Sequence, residues 1–598
     1  MIAQNILFPN PRICSERDLY MRLGNNAEYV FVKDEINFTR RFSIVFFDTY
    51  FNSFSIGKWS KYTNIKNVIL NLRLKGEFIV TLWHEDLINE RSVKEIVNEQ
   101  IVKSDQEKQF SFGFNSLKTS GIYYFCLNAL KANSVYYGGN YEIEEGDTRN
   151  IKLGVSICHY RKEAYIRRNM ESIASFLNKN PKFASRLEVF ISDNAQTLST
   201  NDAPYDFVHI FPNKNVGGAG GFTRCIMEIQ KTNESDNSIT HALLMDDDLT
   251  FDPEILYRTW AFLTNLKDKY SQYFFSGLMN RQDFKNIQHE NGALWNGGDF
   301  ISLKGHSDMN IFQNVLFNDC IEESVEFAPW WYCGIPIEST ENNLPLPIFY
   351  REDDAEYGMR CAKGIISMNG ICVWHEPFEN KFVPFVCYYH SRNLHLVNCL
   401  HHPENGKKSL LNYTYREIKR ELCFLRYKIA DLYLQAAEDF MKGIDWFKKT
   451  DTMQNHKKVV TNCYKLQNVD EIKEMPFIYG EYIWAVNKPP MSKIKRFIWH
   501  HSQSGNLIKA KRNVWVPIAP GQVREEMFVR AKKAYHFDLS QQRGFITERS
   551  KKEYRRIMRR FRKLKNLVNR KYNTVAKDYR NRIQEIQTLD FWNKYLEV

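Results

Sequence analysis

No stretch of the 598-residue chain approaches the roughly 18 consecutive apolar residues that a membrane-spanning helix needs. The opening residues, MIAQNILFPNPRICSERD, lack a basic stretch followed by an apolar core, which predicts no secretory signal peptide. Twelve cysteines are scattered with no CxxC pair and no short-domain framework. So many unpatterned thiols predict a reducing, cytoplasmic compartment. The one Gly-rich turn, NVGGAGGF at 215–222, lacks the closing GK[ST] of a P-loop and the spacing of a dinucleotide fingerprint. Neither an internal repeat nor a long low-complexity linker is present.

What the chain does have is length, aromatic rings and an uneven charge. Its length predicts two to four domains. Hydrophobic content of 43% with 14% aromatic residues predicts folded, packed domains rather than disorder. The net charge is +12, yet residues 491–598 carry 27 Lys and Arg against 9 Asp and Glu, or +18, which leaves the rest at −6. The basicity belongs to the tail.

Three textures follow one another. Residues 1–148 are rich in β-branched and aromatic segments such as RFSIVFFDTYF and NVILNLRLKGEFIVTLW, predicting a β-sandwich. Residues 149–400 alternate strand-like and helix-like segments: KLGVSICHY, RKEAYIRRNMESIASFLNKN, RLEVFISDNA, then TRCIMEIQKT and HALLM. This alternation predicts an α/β, Rossmann-like domain with a doubly wound parallel sheet. Residues 401–598 are mainly helical and end in a basic amphipathic helix, KKEYRRIMRRFRKLKNLVNRKY, with Tyr554, Ile557, Met558, Phe561, Leu564, Leu567 and Val568 along one face.

The chemistry-bearing residues cluster at predicted strand ends. HALLM stops at Asp246, Asp247 and Asp248, whose like charges invite Mn²⁺ or Mg²⁺ and, through it, phosphates. An exposed acidic loop reads the same way in sequence. Asp193 ends the preceding strand and suits either a nucleotide contact or a cap. Asn215 and the glycines from Gly217 open a helix whose N-terminus favours a diphosphate. Asp353 and Asp354 begin another helix, where acids complement the dipole and a carboxylate can also take a proton from a sugar hydroxyl. His375, beside Trp374 at a strand end, reads as a core histidine or as a further metal ligand. Trp330 and Trp331, between Pro329 and Gly334, read as a sugar-stacking platform rather than packing.

In this order NVGGAGGFTR, LLMDDDLTFDPE, APWWYCG, REDDAEYGMR, CVWHEPF and YYHSRN resemble the family 2 GT-A glycosyltransferases, and within them the bacterial galactofuranosyltransferases that polymerise cell-wall galactan. The likeness covers about 150–400. It implies a central GT-A domain, metal ligation by Asp246, Asp248 and His375, and Asp354 as the base that deprotonates the acceptor. It also implies acceptor contacts from Trp330, Trp331 and Asp353. Donor contacts are implied from Arg161, Asp193, Asn215, Gly217, Gly218, Asp247 and His390. Two positions depart: Glu352 stands where the family has an aromatic residue, and Phe378 where it has tryptophan.

The implied partners are a UDP-sugar donor, UDP-galactofuranose first, and a lipid-linked glycan acceptor. The basic tail helix predicts contact with the inner face of the cell membrane; self-association into a homo-oligomer is the next reading of that helix, and nucleic acid the last. A rhamnosyl- or hexopyranosyltransferase is the nearest competing function. A nucleotidyltransferase and a non-catalytic glycan-binding protein lie further off.

Overall fold

Between Asn67 and Ile88 the chain runs as one strand of 22 residues. Val68, Leu70, Leu72, Leu74, Phe78, Val80 and Leu82 are buried on one face of it, as a period of two requires. Strand Arg91–Gly113 pairs along its length on one side. On the other, its first half pairs with Ser134–Glu144 and its second half with Ile122–Ala129, the register slipping around Gly76. That change of partner joins both halves, so the nine strands of residues 2–144 are connected through one hydrogen-bonded network.

The computed structural model describes residues 1–598 apart from 237, 297–299, 381 and 520, and it is a mixed α/β structure with several sheets and many helices. A second sheet holds seven strands: β1 (Leu153–His159), β2 (Leu187–Asp193), β3 (Val208–Pro212), β4 (His241–Asp246), β5 (Phe274–Ser276), β6 (Tyr332–Pro336) and β7 (Ile365–Ile366). Their order is β3-β2-β1-β4-β6-β5-β7. Strands β1 to β4 are mutually parallel, whereas β6 runs antiparallel to β4. Helix α1 (Glu163–Lys179) connects β1 to β2, and α2 (Gly217–Asp236) connects β3 to β4. Chain order reverses between β1 and β4, so their carboxyl ends flank the crevice where such sheets bind ligands. Cys158 of β1 pairs with Asp246 of β4, and His159 pairs with Asp193 of β2. The acids singled out by sequence therefore end adjacent strands.

Buried charge ties this sheet to the first one. Arg258, 3% exposed, donates to the carbonyls of Asn5, Phe51 and Gly370 and lies 3.7 Å from Glu254. Glu254 in turn accepts from the backbone and side chain of Asn5. One apolar core runs from Ala3 to Trp374 across both sheets.

Beyond the second sheet, helices dominate: α3 (Asp353–Cys361), α4 (Val386–His401), then Gly406–Cys423, Tyr427–Phe440 and the 32-residue α5 (Lys551–Arg582). A four-stranded sheet, built mainly from Arg512–Pro517, Ala531–Asp538 and Arg543–Glu548, interrupts the helical pattern. The amphipathic stripe of α5 is buried within the protein. Tyr554, Ile557, Phe561, Leu564, Val568, Tyr572, Ala576 and Tyr579 join the core shared with α4 and the two helices after it. Arg556 and Arg560 pair with Asp431, and Arg560 also with Glu438. This corrects the expectation of membrane contact through that apolar face: its residues are the ridge that holds the helical region together. No helix among the described residues is long and apolar enough to cross a membrane.

Candidate active site

The backbone of Thr250 exchanges two hydrogen bonds with that of Trp374, at 3.0 and 2.8 Å. This bridge clamps the loop after β4 to the strand Cys372–His375. It brings His375 Nε2 to 3.0 Å from Asp248 Oδ1. The other Asp248 oxygen lies 3.2 Å from the Lys162 ammonium. Asp246 sits deeper, on the cavity wall. Burial, reinforced by Asp248, Asp247 and Asp354 and opposed by His375, pushes its carboxyl up to about 7. Carboxylates that cannot all ionise at neutral pH are what a divalent cation relieves, and Lys162 supplies only one positive charge. The residues present therefore fit Mn²⁺ or Mg²⁺, although their ligating atoms are not drawn together. Among the described residues the trio within 4.8 Å of one another is Cys423, His500 and Glu525, in the C-terminal region.

Asp247, the middle acid, is turned the other way. Its Oδ2 accepts from the Tyr160 backbone at 2.9 Å and lies 3.2 Å from His159 Nδ1. It locks the loop after β1 to the loop after β4. Asp193 is likewise engaged, accepting from the backbone of Ala195 and Leu198. Arg161 is exposed at φ +57°, on the rim of the same strand ends.

The Gly-rich turn serves close packing. A Cβ on Gly217, which has φ +78°, would meet the Phe349 carbonyl at 1.8 Å, and one on Gly221 would strike Cys158 Sγ at 2.2 Å. Asn215 Oδ1 accepts from the Gly217 backbone. Gly218 is open, with Asp353 Oδ2 3.5 Å from the position of its Cβ, and it lines the cavity. The start of α2 thus faces the same space as the paired acids.

That space is a cavity of about 290 Å³. Asp246, Asp353, Asp354, Trp330 and Trp331 all line it. Burial raises the carboxyls of both Asp353 and Asp354, and for Asp353 the charge of Asp354 adds to the effect. Asp354 keeps one oxygen on the Ala355 backbone N–H, at 2.8 Å. The two tryptophans are 5% and 7% exposed, so packing claims most of each ring. Trp330 meets Phe222 and Tyr357 edge-on, and Trp331 donates to the Gly277 carbonyl. Their sequence as an exposed-looking turn hid this. They lead into β6, where successive side chains alternate faces and can both be buried.

Sequence reasoning missed Glu290, on the strand Ile287–Glu290, within a stretch that carried no motif. Burial pushes its carboxyl up to about 7, and it lines the same cavity. Also missed were His159, fully buried between the acids of β2 and β4, and the role of YYHSRN. Asn393 donates to the carbonyls of Ile348, Tyr350 and Arg351, Arg392 donates to that of Ile348, and His390 Nδ1 lies 2.6 Å from Glu352 Oε1. The motif on α4 pins the loop that presents the paired acids.

Comparison with known proteins bears out the resemblance read in the motifs. Residues 3–141 match the family described as Galactofuranosyltransferase 2 N-terminal. Over 434 residues the chain is 24% identical to galactofuranosyltransferase GlfT2 of Mycolicibacterium smegmatis, covering 67% of this chain and 64% of that protein. The GlfT2 of Mycobacterium tuberculosis is also 24% identical, over 67% of this chain and 66% of its own length. The chain thus spans just under two thirds of these curated relatives. Mannosyl-3-phosphoglycerate synthase from Rubrobacter xylanophilus aligns at 8% identity over 41% of this chain and 73% of its own, with a TM-score of 0.24.

Proposed function

We propose that this chain is a metal-dependent, inverting glycosyltransferase. It moves galactofuranose from UDP-galactofuranose to a hydroxyl of a growing, lipid-linked cell-surface glycan. In this reading residues 149–400 form a GT-A catalytic domain between the N-terminal β domain and the C-terminal, mainly helical one. One observation carries the proposal: Asp246 lines one cavity with Asp353, Asp354 and two tryptophans, and Asp248 and His375 stand in contact beside it. Carboxylates from such distant points of the chain gather at a sheet's switch point when a ligand needs them.

Asp246, Asp248 and His375 would hold Mn²⁺ or Mg²⁺, which when bound neutralises the charge on the departing nucleotide diphosphate. Asp354 takes the proton from the incoming hydroxyl. Its burial supports that role, because a carboxyl raised toward neutrality is a stronger base than an ordinary one. Asp353 accepts from other acceptor hydroxyls. Trp330 and Trp331 offer apolar edges to the sugar and exclude water from the reacting pair. The hydroxyl attacks from the face opposite the leaving group, so no covalent intermediate forms.

A donor panel with Mn²⁺ tests the assignment. Turnover of UDP-galactofuranose but not UDP-galactopyranose is expected. Turnover of a rhamnosyl or hexopyranosyl donor instead would favour the second reading. That reading draws support from Glu352 and Phe378, which depart from the family pattern and both line the cavity.

We also infer attachment to an anionic membrane surface. The helix Lys493–His501 exposes Ile494 at 74%, Phe497 at 62% and Ile498 at 54% among Lys493, Lys495 and Arg496. Apolar side chains set among cations suit a lipid headgroup layer. The outward face of α5, with Arg555, Arg559, Arg562 and Lys563 exposed, adds charge.

A further inference from the structure

We propose that Glu352 is a receptor for a substrate hydroxyl: His390 holds one carboxylate oxygen while the other, unpartnered in the cavity wall, is left to accept a hydrogen bond from the glycan. The inference rests on the glycosyltransferase reading above and adds a specificity-determining residue to it. Glu352 is 3% exposed and lines the cavity with Asp246, Asp353 and Asp354. Its Oε1 lies 2.6 Å from His390 Nδ1. Its Oε2 is buried without a hydrogen-bond partner among the described residues. Proteins rarely leave a buried carboxylate oxygen unanswered, and one on a residue that lines a ligand cavity can be answered by the ligand.

The backbone pays a conformational penalty to put it there. Phe349, Arg351 and Glu352 all adopt left-handed φ values, +73°, +69° and +60°, though none is glycine. The strain is held by the three bonds from Asn393, by Arg392, and by the missing side chain of Gly217, which admits the Phe349 carbonyl. Glu352 precedes the first residue of α3, yet its side chain makes no capping bond to that helix. A carboxylate placed only to finish the helix would make one.

The chemistry of the cavity selects the partner. An ionised carboxylate only accepts hydrogen bonds, and the acids around Glu352 repel a phosphate. A polyhydroxylated, uncharged sugar supplies donors without adding negative charge, so Glu352 belongs to the glycan side of the site. Beside Glu352 the Arg351 guanidinium stacks 4.0 Å from the centre of the Phe378 ring. The two positions that depart from the family pattern are thus neighbours on one wall, and together they would set which hydroxyl is recognised. His390 is a positioning residue here.

The test is calorimetric and does not need catalysis. The probes are a galactofuranose disaccharide carrying an alkyl chain and its single-deoxy analogues, titrated into wild-type protein, Glu352→Ala, Glu352→Gln and His390→Gln. Glu352→Ala is expected to weaken the parent disaccharide about tenfold, the worth of one charge-assisted hydrogen bond. One deoxy analogue should bind wild type about tenfold more weakly and be indifferent to Glu352→Ala, as two cuts in one bond are not additive. His390→Gln should weaken the same hydroxyl's contribution and no other. Equal binding of the parent by Glu352→Ala and wild type overturns the proposal, as does an equal loss for every analogue, which marks a structural role. No binding of any probe by wild type overturns it too. Glu352-dependent sugar binding in a protein that turns over no donor would sink the enzyme reading and leave this one standing.

Discussion

Replacing Asp246 with Asn is expected to stabilise the metal-free protein while abolishing transfer. The carboxyl is displaced from 3.8 to about 7, which sets a ceiling of about 4 kcal/mol on the cost of ionising it in the fold. Asp246 keeps one face on the solvent of the cavity, and Asp248, Asp247 and Asp354 relax when its charge goes. The expected gain is therefore about 1–2 kcal/mol, or roughly 1–4 °C in the melting temperature. The sign follows from the direction of the displacement. Below about pH 4 the carboxyl is protonated in both folded and unfolded chains and costs nothing. The penalty grows as pH climbs from 3.8 towards about 7 and is complete above it. Differential scanning fluorimetry at pH 8 should show the variant melting higher than wild type, with the gap closing towards pH 4. Saturating Mn²⁺ should then reverse the order, because wild type gains about 2.7 kcal/mol at a hundred times the dissociation constant and the variant, short of a ligand, gains little. A variant that melts below wild type at pH 8 without metal refutes the claim of unrelieved charge. Equal Mn²⁺ shifts in both proteins remove Asp246 from the ligand set.

Asp354→Asn should cut kcat by about 10²–10⁴ while UDP and Mn²⁺ still bind, since it removes a proton acceptor and little else; unchanged kcat would transfer the role to Glu290 or Asp353. Because burial raises the Asp354 carboxyl, the acid limb of kcat/KM should lie well above the ordinary carboxylate range, activity falling as pH drops and the base becomes protonated. Arg258→Ala leaves Glu254 buried beside an emptied site, so the sheet contact should weaken by about 3–5 kcal/mol; a double variant with Glu254→Gln should lose less than the sum. Phe497→Ser combined with Ile498→Ser should abolish flotation with anionic liposomes and leave the melting temperature unchanged, since both side chains are exposed; undiminished flotation would reject that helix as the membrane contact.

The period of the apolar residues made the parallel sheet legible. KLGVSICHY, RLEVFISDNA and HALLM are β1, β2 and β4, and their acids end where the strands end. Such runs are bounded on both sides by polar residues, so length and boundary together identify them. The N-terminal strands were equally plain, but their pairing was not. Whether the strand Asn67–Ile88 joins one sheet or two depends on which partner each half meets, and alternation is silent about partners. The same limit explains α5. A stripe of Tyr, Ile, Phe, Leu and Val is identical in sequence whether it faces lipid or the helix Tyr427–Phe440, and only the acids at 431 and 438, far away in the chain, decide between them.

The site divides along a similar line. Residues whose chemistry is unusual for their setting, such as three adjacent acids after an apolar strand, announce themselves. Residues that work by enclosure do not. Glu290 lies on a short strand with no periodic neighbours, and its importance comes from burial beside Asp354. His390, Arg392 and Asn393 occupy an ordinary helix, yet they hold three left-handed residues in place. Strain of that kind is a property of backbone angles that no residue type records. In this chain it gathers in the loop at 349–352, which α4 pins in front of α3. The proposed metal ligand Asp246 and the proposed base Asp354 sit on regular elements, β4 and α3, whereas Glu352 sits on the strained loop that leads into α3. On the proposed reading, substitution at Glu352 or Phe378 changes substrate choice without disturbing the ends of the sheet.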